Sequence, residues 1–210
     1  MKKLSLIFFL LLVFSGMAYG ESNNDQKLHE LECMNKTFNK FIEIFGVYVV
    51  GTTKAPMDKV IHTAGVLAQY LDNNEDGLPD DPKISSYLSE HNYIVPVWSE
   101  SEREKFWKNA GGTYCEDNIG MAASMYYESD QWAIGGIKKT GEWDTNLEEV
   151  WHVVSAGWYE VYPEYFGDKS SKLLDAMNKA RGGFFENVPS KYPKSAWYTD
   201  YDRSCSYICK

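Results

Sequence analysis

The stretch from Asp72 to Asp81 constrains the fold more than any other part of this 210-residue chain. It follows a helical pattern that opens at Ala55-Pro56, where proline is tolerated because it lies in the first turn. The apolar residues on one face of that helix recur at three- and four-residue steps: Val60, Ile61, Ala64, Leu67, Ala68 and Leu71. Asp, Asn, Gly and Pro dominate afterwards, and because these residues favour turns, the helix must end near Leu71.

Oxygen-bearing side chains are regularly spaced in this acidic loop, Asp72–Asp81. They occupy positions one, three, five and nine counted from Asp72, while position six is glycine and position seven offers a carbonyl. A calcium ion binds about six to eight oxygens, which alternate residues of a tightly turned loop can supply. The spacing therefore predicts a calcium site with the ligands Asp72, Asn74, Asp76, Asp80 and, through its backbone carbonyl, Leu78.

The acidic loop departs from an EF-hand at position twelve, which is Lys83 rather than glutamate. It resembles instead the shorter repeats of dockerins and thrombospondin type 3 modules, which implies that Asp81 or a distant carboxylate completes the calcium shell. A metal-free acidic turn is the alternative interpretation of the same residues. The regular spacing favours calcium, with a structural role at the end of a helix.

A second segment with potential chemistry lies between Thr145 and Pro163. Its apolar residues keep a helical spacing, and Pro163 cannot continue a helix, so the pattern predicts an amphipathic helix that ends by Tyr162. Glu148 and His152 are four residues apart on this helix, with about 5–6 Å between their Cβ atoms. Two side chains so placed can share one metal ion.

The segment Glu148-Glu149-x-x-His152 resembles the His-Glu-x-x-His helix of zincin metallopeptidases, with glutamate in place of the first histidine. The resemblance implies that Glu148 and His152 bind zinc and that Glu149 is the general base. No third ligand has a local signature, and the downstream candidates are Glu160, Glu164, Asp168, Asp175, Asp200 and Asp202. The chain also resembles a group of poorly characterised exported proteins that combine such a helix with a Leu-Asp-Asn-x-Glu-Asp-Gly loop.

A purely structural interpretation of the same helix is available. Thr145 and Glu148 have the spacing of a capping box, in which the glutamate would serve only to start the helix. Glu149 lies in the first turn, where a negative charge favours the helix dipole. His62, which has Asp58 four residues before it, is a weaker candidate for the same site, because a lone histidine on an amphipathic helix is usually a surface or core residue.

The first twenty residues predict a secretory signal peptide. Lys2 and Lys3 precede the apolar run Leu4–Phe14, and Ala18-Tyr19-Gly20 supplies a small-x-small cleavage site. Residues 21–210 would then be one exported globular domain, and no later run has the roughly 20 apolar residues that a membrane helix needs. The four cysteines are Cys33, Cys115, Cys205 and Cys209. In an oxidising compartment we expect them to form disulfides, for which three connectivities are possible.

The order of helical and strand patterns predicts the fold class. The patterns alternate irregularly, which indicates a mainly helical single α+β domain with a small sheet, zincin-like by analogy. We expect a helix over residues 26–44, a buried strand at Val47–Val50, and a strand at 92–98 that Pro96 would confine to a sheet edge. Two further strands are expected at 121–127 and 131–134, around a turn at residues 128–130.

Charge and motifs together narrow the function to two hypotheses. The formal net charge is −9, and loss of Lys2 and Lys3 with a signal peptide makes it more negative, so nucleic acid is not an expected partner. The first hypothesis is a secreted, calcium-stabilised, zinc-dependent hydrolase of peptide bonds. The second is a non-enzymatic extracellular calcium-binding module for adhesion or surface assembly, with a protein or peptide partner that the sequence does not identify.

Overall fold

The chain forms a single α+β domain with helices on both faces of a small sheet, which confirms the predicted class. A computed structural model describes Leu28, residues 31–167 and residues 170–180. The elements in chain order are α1 (Glu32–Asn35), β1 (Phe38–Ile44), β2 (Val47–Thr52), α2 (Met57–Leu71), α3 (Pro82–Glu90), β3 (Ile94–Trp98), α4 (Glu100–Ala110), α5 (Tyr114–Asn118), β4 (Met125–Tyr126), α6 (Ile137–Thr140), α7 (Asn146–Val161), α8 (Pro163–Phe166) and α9 (Lys172–Ala180).

The four strands are arranged in the order β1-β2-β3-β4. Strands β1 and β2 are antiparallel, whereas β2 with β3 and β3 with β4 are parallel pairs. Parallel neighbours need crossover connections, which α2 and α3 provide between β2 and β3, and α4 and α5 provide between β3 and β4. The carboxyl ends of β2, β3 and β4 therefore meet at one edge of the domain.

The predicted helix over residues 26–44 is wrong for most of its length. The described chain is helical from Glu32 to Asn35, and the rest of the apolar pattern forms β1. The turn that follows explains the difference, since Phe45 and Gly46 both have positive φ angles, 49° and 84°. Such angles belong to tight hairpin turns, which align β1 with β2 and let strand pairing override the helical spacing.

Pro96 does not place its strand at the edge of the sheet, contrary to the prediction. Strand β3 lies between β2 and β4, and Pro96 is paired in register with Val50 of β2. The amide of Ile94 donates away from β2, to the carbonyl of Gly120, so the position of the missing Pro96 amide also faces that side. Strand β4 is only two residues long and pairs with Val97 and Trp98, so the missing donor interrupts no ladder bond there.

The strands expected at 121–127 and 131–134 are reduced to the two residues of β4. Residues 127–129 do turn, as predicted, but Gln131–Ile134 is not a strand in the described structure. Side chains replace a further strand at this edge of the sheet, because the carboxylates of Glu149 and Asp130 accept the amides of Ser124 and Tyr126. Strand β2 and helices α2 and α7 agree with the sequence predictions to within a few residues, whereas the short helices α5, α6 and α8 were not predicted.

Two hydrophobic clusters lie on opposite faces of the sheet. One joins β2 and β3 to α2, α3 and α7, and the other joins the opposite side chains of these strands to α1, α4 and α5. A Cβ atom added at Gly157 of α7 would lie 3.1 Å from Ile84 of α3, so glycine allows these two helices to approach closely. Both clusters are fully buried at their centres, as Val60 and Trp98 illustrate.

A disulfide joins Cys33 to Cys115 across 82 residues and ties α1 to α5. It confirms pairing for two of the four predicted cysteines and fits the expectation of an exported protein. Cys205, Cys209, the predicted signal peptide and the candidate ligands Asp168, Asp200 and Asp202 lie outside the described residues. Within residues 31–167 and 170–180, no helix is long and apolar enough to cross a membrane.

Candidate functional site

The acidic loop connects α2 to α3 and is closed by hydrogen bonds at its two ends. The amide of Asp80 donates to the carbonyl of Leu71 (2.8 Å), and the carboxylate of Asp80 accepts the amide of Asn73 (2.9 Å). The side chain of Asp81 accepts the amide of Lys83 and so caps α3. The loop thus has a defined conformation in which Asp80 returns to the point where α2 ends.

The side chains at positions one, three and five turn inward. The two carboxylate oxygens of Asp72 accept the amides of Asp76 (3.1 Å) and Gly77 (2.8 Å). Asn74 accepts the amide of Asp76, and Asp76 accepts that of Leu78. Gly77 has a φ angle of 84°, as the sharp turn requires. A carboxylate has about four lone-pair sites, so one bond per oxygen leaves each able to accept a cation.

Carboxylates and imidazoles alone do not form a metal site in the described part of the chain. Among residues 31–167 and 170–180, no three His, Cys, Asp or Glu side chains form a group that could hold a metal ion. A calcium ion in the acidic loop would therefore need oxygens from Asn74 and the carbonyl of Leu78 as ligands, in addition to the carboxylates of Asp72, Asp76 and Asp80. Calcium binding by the loop stays a prediction.

Helix α7 carries the predicted zinc-type residues on its first two turns. Glu148 is exposed, while Glu149 and His152 are half-buried. The capping-box interpretation is wrong, because the Thr145 hydroxyl accepts the amide of Gln131 (3.2 Å) rather than an amide of its own helix. Thr145 is already helical, with φ −60° and ψ −25°. Asp144 takes over the capping role by accepting the amide of Asn146 (3.2 Å), so Glu148 is not a cap.

The carboxyl of Glu149 is held against the sheet. Its Oε2 atom accepts the amide of Ser124 at 3.3 Å. Burial raises its pKa above the ordinary range, and the charge of His152, together with the Ser124 amide, opposes that rise. Negative charges on Asp130 and Glu148 raise the pKa further. A half-buried carboxyl whose pKa is raised in this way is a candidate for acid–base chemistry.

Asp130 is a second half-buried carboxyl beside the same strand. Its Oδ2 atom accepts the amide of Tyr126 at 2.6 Å, and burial raises its pKa, against the effects of that amide and of Lys59. The ammonium of Lys59 donates to the carbonyl of Tyr127 (2.5 Å) and lies 4.6 Å from the centre of the Trp132 ring. Burial lowers the pKa of Lys59. We call Lys59, Asp130, Trp132, Glu149 and His152 the edge cluster.

His62 pairs with a residue that is distant in sequence. Its Nε2 atom lies 2.6 Å from a carboxylate oxygen of Asp144, whose other oxygen accepts the side-chain amide of Asn146 at 2.8 Å. The hydroxyl of Thr63 donates to Asn146 at 2.6 Å. Thr63, Asp144 and Asn146 are all buried. This network fastens α2 to the first turn of α7, and it places His62 in a structural pair.

The carboxyl ends of the three parallel strands meet at Glu102. Its Oε2 atom accepts hydrogen bonds from Thr52 at the end of β2, from Ser99 after β3 and from Tyr127 after β4. These bonds outweigh burial and lower the pKa of Glu102. The crevice where open parallel sheets commonly bind ligands is therefore filled here by a side chain of the protein.

Comparison with known proteins gives no related site with which these residues could be compared. No known family, curated protein or solved structure matches the chain. The sequence predicted Glu149 and the residues of the acidic loop but missed Asp130 and Lys59. Asp130 follows Glu128 and Ser129 in a turn, where an acidic residue is ordinary, so no local signal marks it.

Proposed function

We propose that the protein is an exported calcium-binding protein whose acidic loop holds one calcium ion. The observation that supports this most is the inward orientation of Asp72, Asn74 and Asp76 around the turn at Gly77. Leu78 is 67% exposed, and its carbonyl would supply the position-seven ligand. The Cys33–Cys115 disulfide supports an extracellular setting, where modules bind calcium with dissociation constants of about 10⁻⁴–10⁻³ M.

The calcium ion would have a structural role in the contact between three helices. The loop joins α2 to α3, and Asp81 at its end accepts the hydroxyl of Tyr162 after α7 (2.8 Å). Lys83 lies 5.9 Å from the centre of the same tyrosine ring. An ion that fixes the loop would therefore also fix the position of Tyr162 relative to α3, because Asp81 belongs to both contacts.

Calorimetric titration of the chelator-treated protein with calcium tests the proposal. We expect about one site per chain, with thermal unfolding shifted upward by saturating calcium. Both effects should disappear in the double variant Asp72→Ala plus Asp76→Ala. The matched control is Glu104→Ala, which removes an exposed carboxylate of α4 and should leave calcium binding intact. Binding that survives the loop substitutions, or no binding by the wild type, would refute the proposal.

A zinc-dependent peptide hydrolase is the second candidate, and the position of Glu149 beside His152 favours it. In that function Glu148 and His152 would hold the zinc, the metal would supply an activated water, and Glu149 would be the general base. Element analysis of the exported protein should find about one zinc per chain, lost in His152→Ala. Glu149→Gln should keep the zinc and lose peptide hydrolysis. Zinc-free wild-type protein that was purified without chelators contradicts this candidate.

A further inference from the structure

A row of aromatic side chains lies along helix α7 and continues onto its neighbours. Trp151 and Trp158 of α7 are in edge-to-face contact, with 4.7 Å between their ring centroids. Tyr70 of α2 lies 5.4 Å from Trp151, and Phe166 of α8 is stacked 5.0 Å from Trp158. Tyr165 ends the row, 6.3 Å from Phe166. We call these five rings the aromatic row.

Helix α7 packs against the core through a different stripe of side chains. The residues of that stripe are all buried: Val150, Val153, Val154 and Gly157. Trp151 and Trp158 are seven residues apart, which places them together on a second stripe of the same helix. Trp151 is 38% exposed, and Trp158 is half-buried at the rim of the core. One apolar stripe of α7 is therefore satisfied by the core, and the second is partly open to solvent.

The exposed apolar surface continues beyond α7. Tyr165 is 43% exposed, and Leu173 and Met177 of α9 are 47% and 39% exposed. Lys172 fastens α9 beside the aromatic row, with its ammonium 3.9 Å from the centre of the Tyr165 ring. Single exposed apolar residues are ordinary in soluble proteins, whereas an apolar surface that extends over several helices marks an interaction site.

The part of the chain that follows α9 has the composition to cover this surface. Residues 181–210 come immediately after the end of α9 at Ala180. Seven of them are aromatic: Phe184, Phe185, Tyr192, Trp197, Tyr198, Tyr201 and Tyr207. An extended chain spans about 3.3 Å per residue and a helix about 1.5 Å, so residues 184–201 are long enough to run the whole length of α7.

Charge favours the same occupant. Residues 181–210 contain five basic and three acidic side chains, whereas the whole chain has a formal net charge of −9. A positive segment is attracted to the negative remainder of the protein. Exposed carboxylates flank the aromatic row, Glu148 one turn before Trp151 and Glu164 next to Tyr165. A second copy of the chain would instead bring the same negative surface against itself, which opposes association.

We propose that residues 184–201 bind the aromatic row of the same chain. The order of the chain sets the direction, because the segment starts from α9 beside Tyr165 and reaches Trp151 last. Phe184 therefore lies toward Tyr165, and Trp197 and Tyr198 cover Trp151. The aromatic rings supply the buried area of the contact. The proposal uses neither the calcium nor the zinc hypothesis, so it stands or fails independently of both.

Hydroxyl-radical footprinting of the exported protein, with oxidation measured residue by residue in a mass spectrometer, tests the proposal. Trp143 is the internal reference, because it is the same residue type outside the aromatic row and is 53% exposed. With 38% exposure, Trp151 should be oxidised at a similar rate if residues 184–201 do not cover it. We expect instead that Trp151 is oxidised several-fold more slowly than Trp143.

Substitutions in the segment identify what protects Trp151. Trp197→Ala plus Tyr198→Ala should raise the oxidation rate of Trp151 to nearly that of Trp143. Tyr207→Ala is the matched control, because it removes an aromatic residue outside residues 184–201 and should leave Trp151 protected. In the reverse direction, Trp151→Ala should speed hydrogen exchange of the amides in residues 184–201. Circular dichroism and thermal unfolding establish that each variant is folded.

Three results would overturn the proposal. The first is similar oxidation of Trp151 and Trp143 in the wild type. The second is protection of Trp151 that persists when Trp197 and Tyr198 are replaced together. The third is protection that disappears on dilution, which would identify a second copy of the chain as the occupant. Slow oxidation of Trp151 at every protein concentration, lost in the double variant alone, is the result that supports the proposal.

Discussion

The acidic loop and the edge cluster use carboxylates in the same way but are built over different distances in sequence. In the loop, Asp72 and Asp76 accept amides no more than five residues away. In the edge cluster, Glu149 accepts an amide 25 residues away, and Lys59 reaches a carbonyl 68 residues away. The first arrangement follows from local sequence, whereas the second exists only when α2, β4 and α7 are packed together.

Removal of the disulfide should have the largest effect on stability among the contacts that join distant parts of the sequence. The bond closes a loop of 82 residues, and removing such a bond costs about 2–5 kcal/mol of unfolding free energy. We expect the double variant Cys33→Ala plus Cys115→Ala to lose that amount in a denaturant titration. A loss below about 1 kcal/mol would mean that packing alone fixes α1 against α5.

Asn146 gives the next largest effect, because it joins α7 to α2 from a fully buried position. Replacing it by alanine leaves the hydroxyl of Thr63 without its acceptor and Asp144 without one of its donors. The expected cost is about 1–3 kcal/mol of unfolding free energy, measured by denaturant titration. The double variant Asn146→Ala plus Thr63→Val should lose less unfolding free energy than the two single variants lose together, because it removes both the donor and the acceptor of one hydrogen bond.

The part of the fold that could be predicted is the part encoded locally. Helix α2, its end at Leu71 and the capping box of Ser99 with Glu102 follow from residues within a few positions of one another. Strand β1 could not be predicted from its own residues, because its apolar spacing suits a helix until the turn at Phe45-Gly46 pairs it with β2. The interior position of Pro96 depends likewise on how short β4 is.

The same distinction between local and long-range contacts applies to the candidate sites. The acidic loop could be predicted residue by residue, because its candidate calcium ligands are alternate positions of one turn. The role of Thr145 could not, because its hydroxyl bonds to Gln131, a residue of another segment. Asp130 and Lys59 were missed because neither belongs to a motif, and what distinguishes them is burial next to β4, which no local pattern records.

Two segments share the capping-box spacing, and only one of them forms the box. The difference in unfolding free energy between variants of the two segments therefore tests the contrast between local and long-range contacts, with a smaller expected effect. Ser99 and Glu102 make both reciprocal bonds, whereas Thr145 makes no capping bond and Glu148 is exposed. We expect Ser99→Ala to cost about 1 kcal/mol of unfolding free energy and Thr145→Ala about 0.5 kcal/mol or less. Equal costs in thermal or denaturant unfolding would restore the capping interpretation of Thr145.

The pH dependence of stability should give the smallest effect, because Glu149 and Asp130 are only half-buried. Burial raises the pKa of both carboxyls in the folded protein, so the folded state binds protons more tightly than the unfolded state does. Their contribution to stability is therefore complete below the unfolded pKa and is lost as the pH rises through the folded pKa.

The measurement compares the unfolding free energy of the wild type with that of the double variant Glu149→Gln plus Asp130→Asn at several pH values. We expect the wild-type value minus the variant value to decline from acid to neutral pH. In the acidic loop no such trend is expected from exchanging Asn74 for alanine, because an amide does not titrate. A difference that rises with pH would mean that the amides of Ser124 and Tyr126, together with Lys59 and His152, outweigh burial and hold both acids ionised.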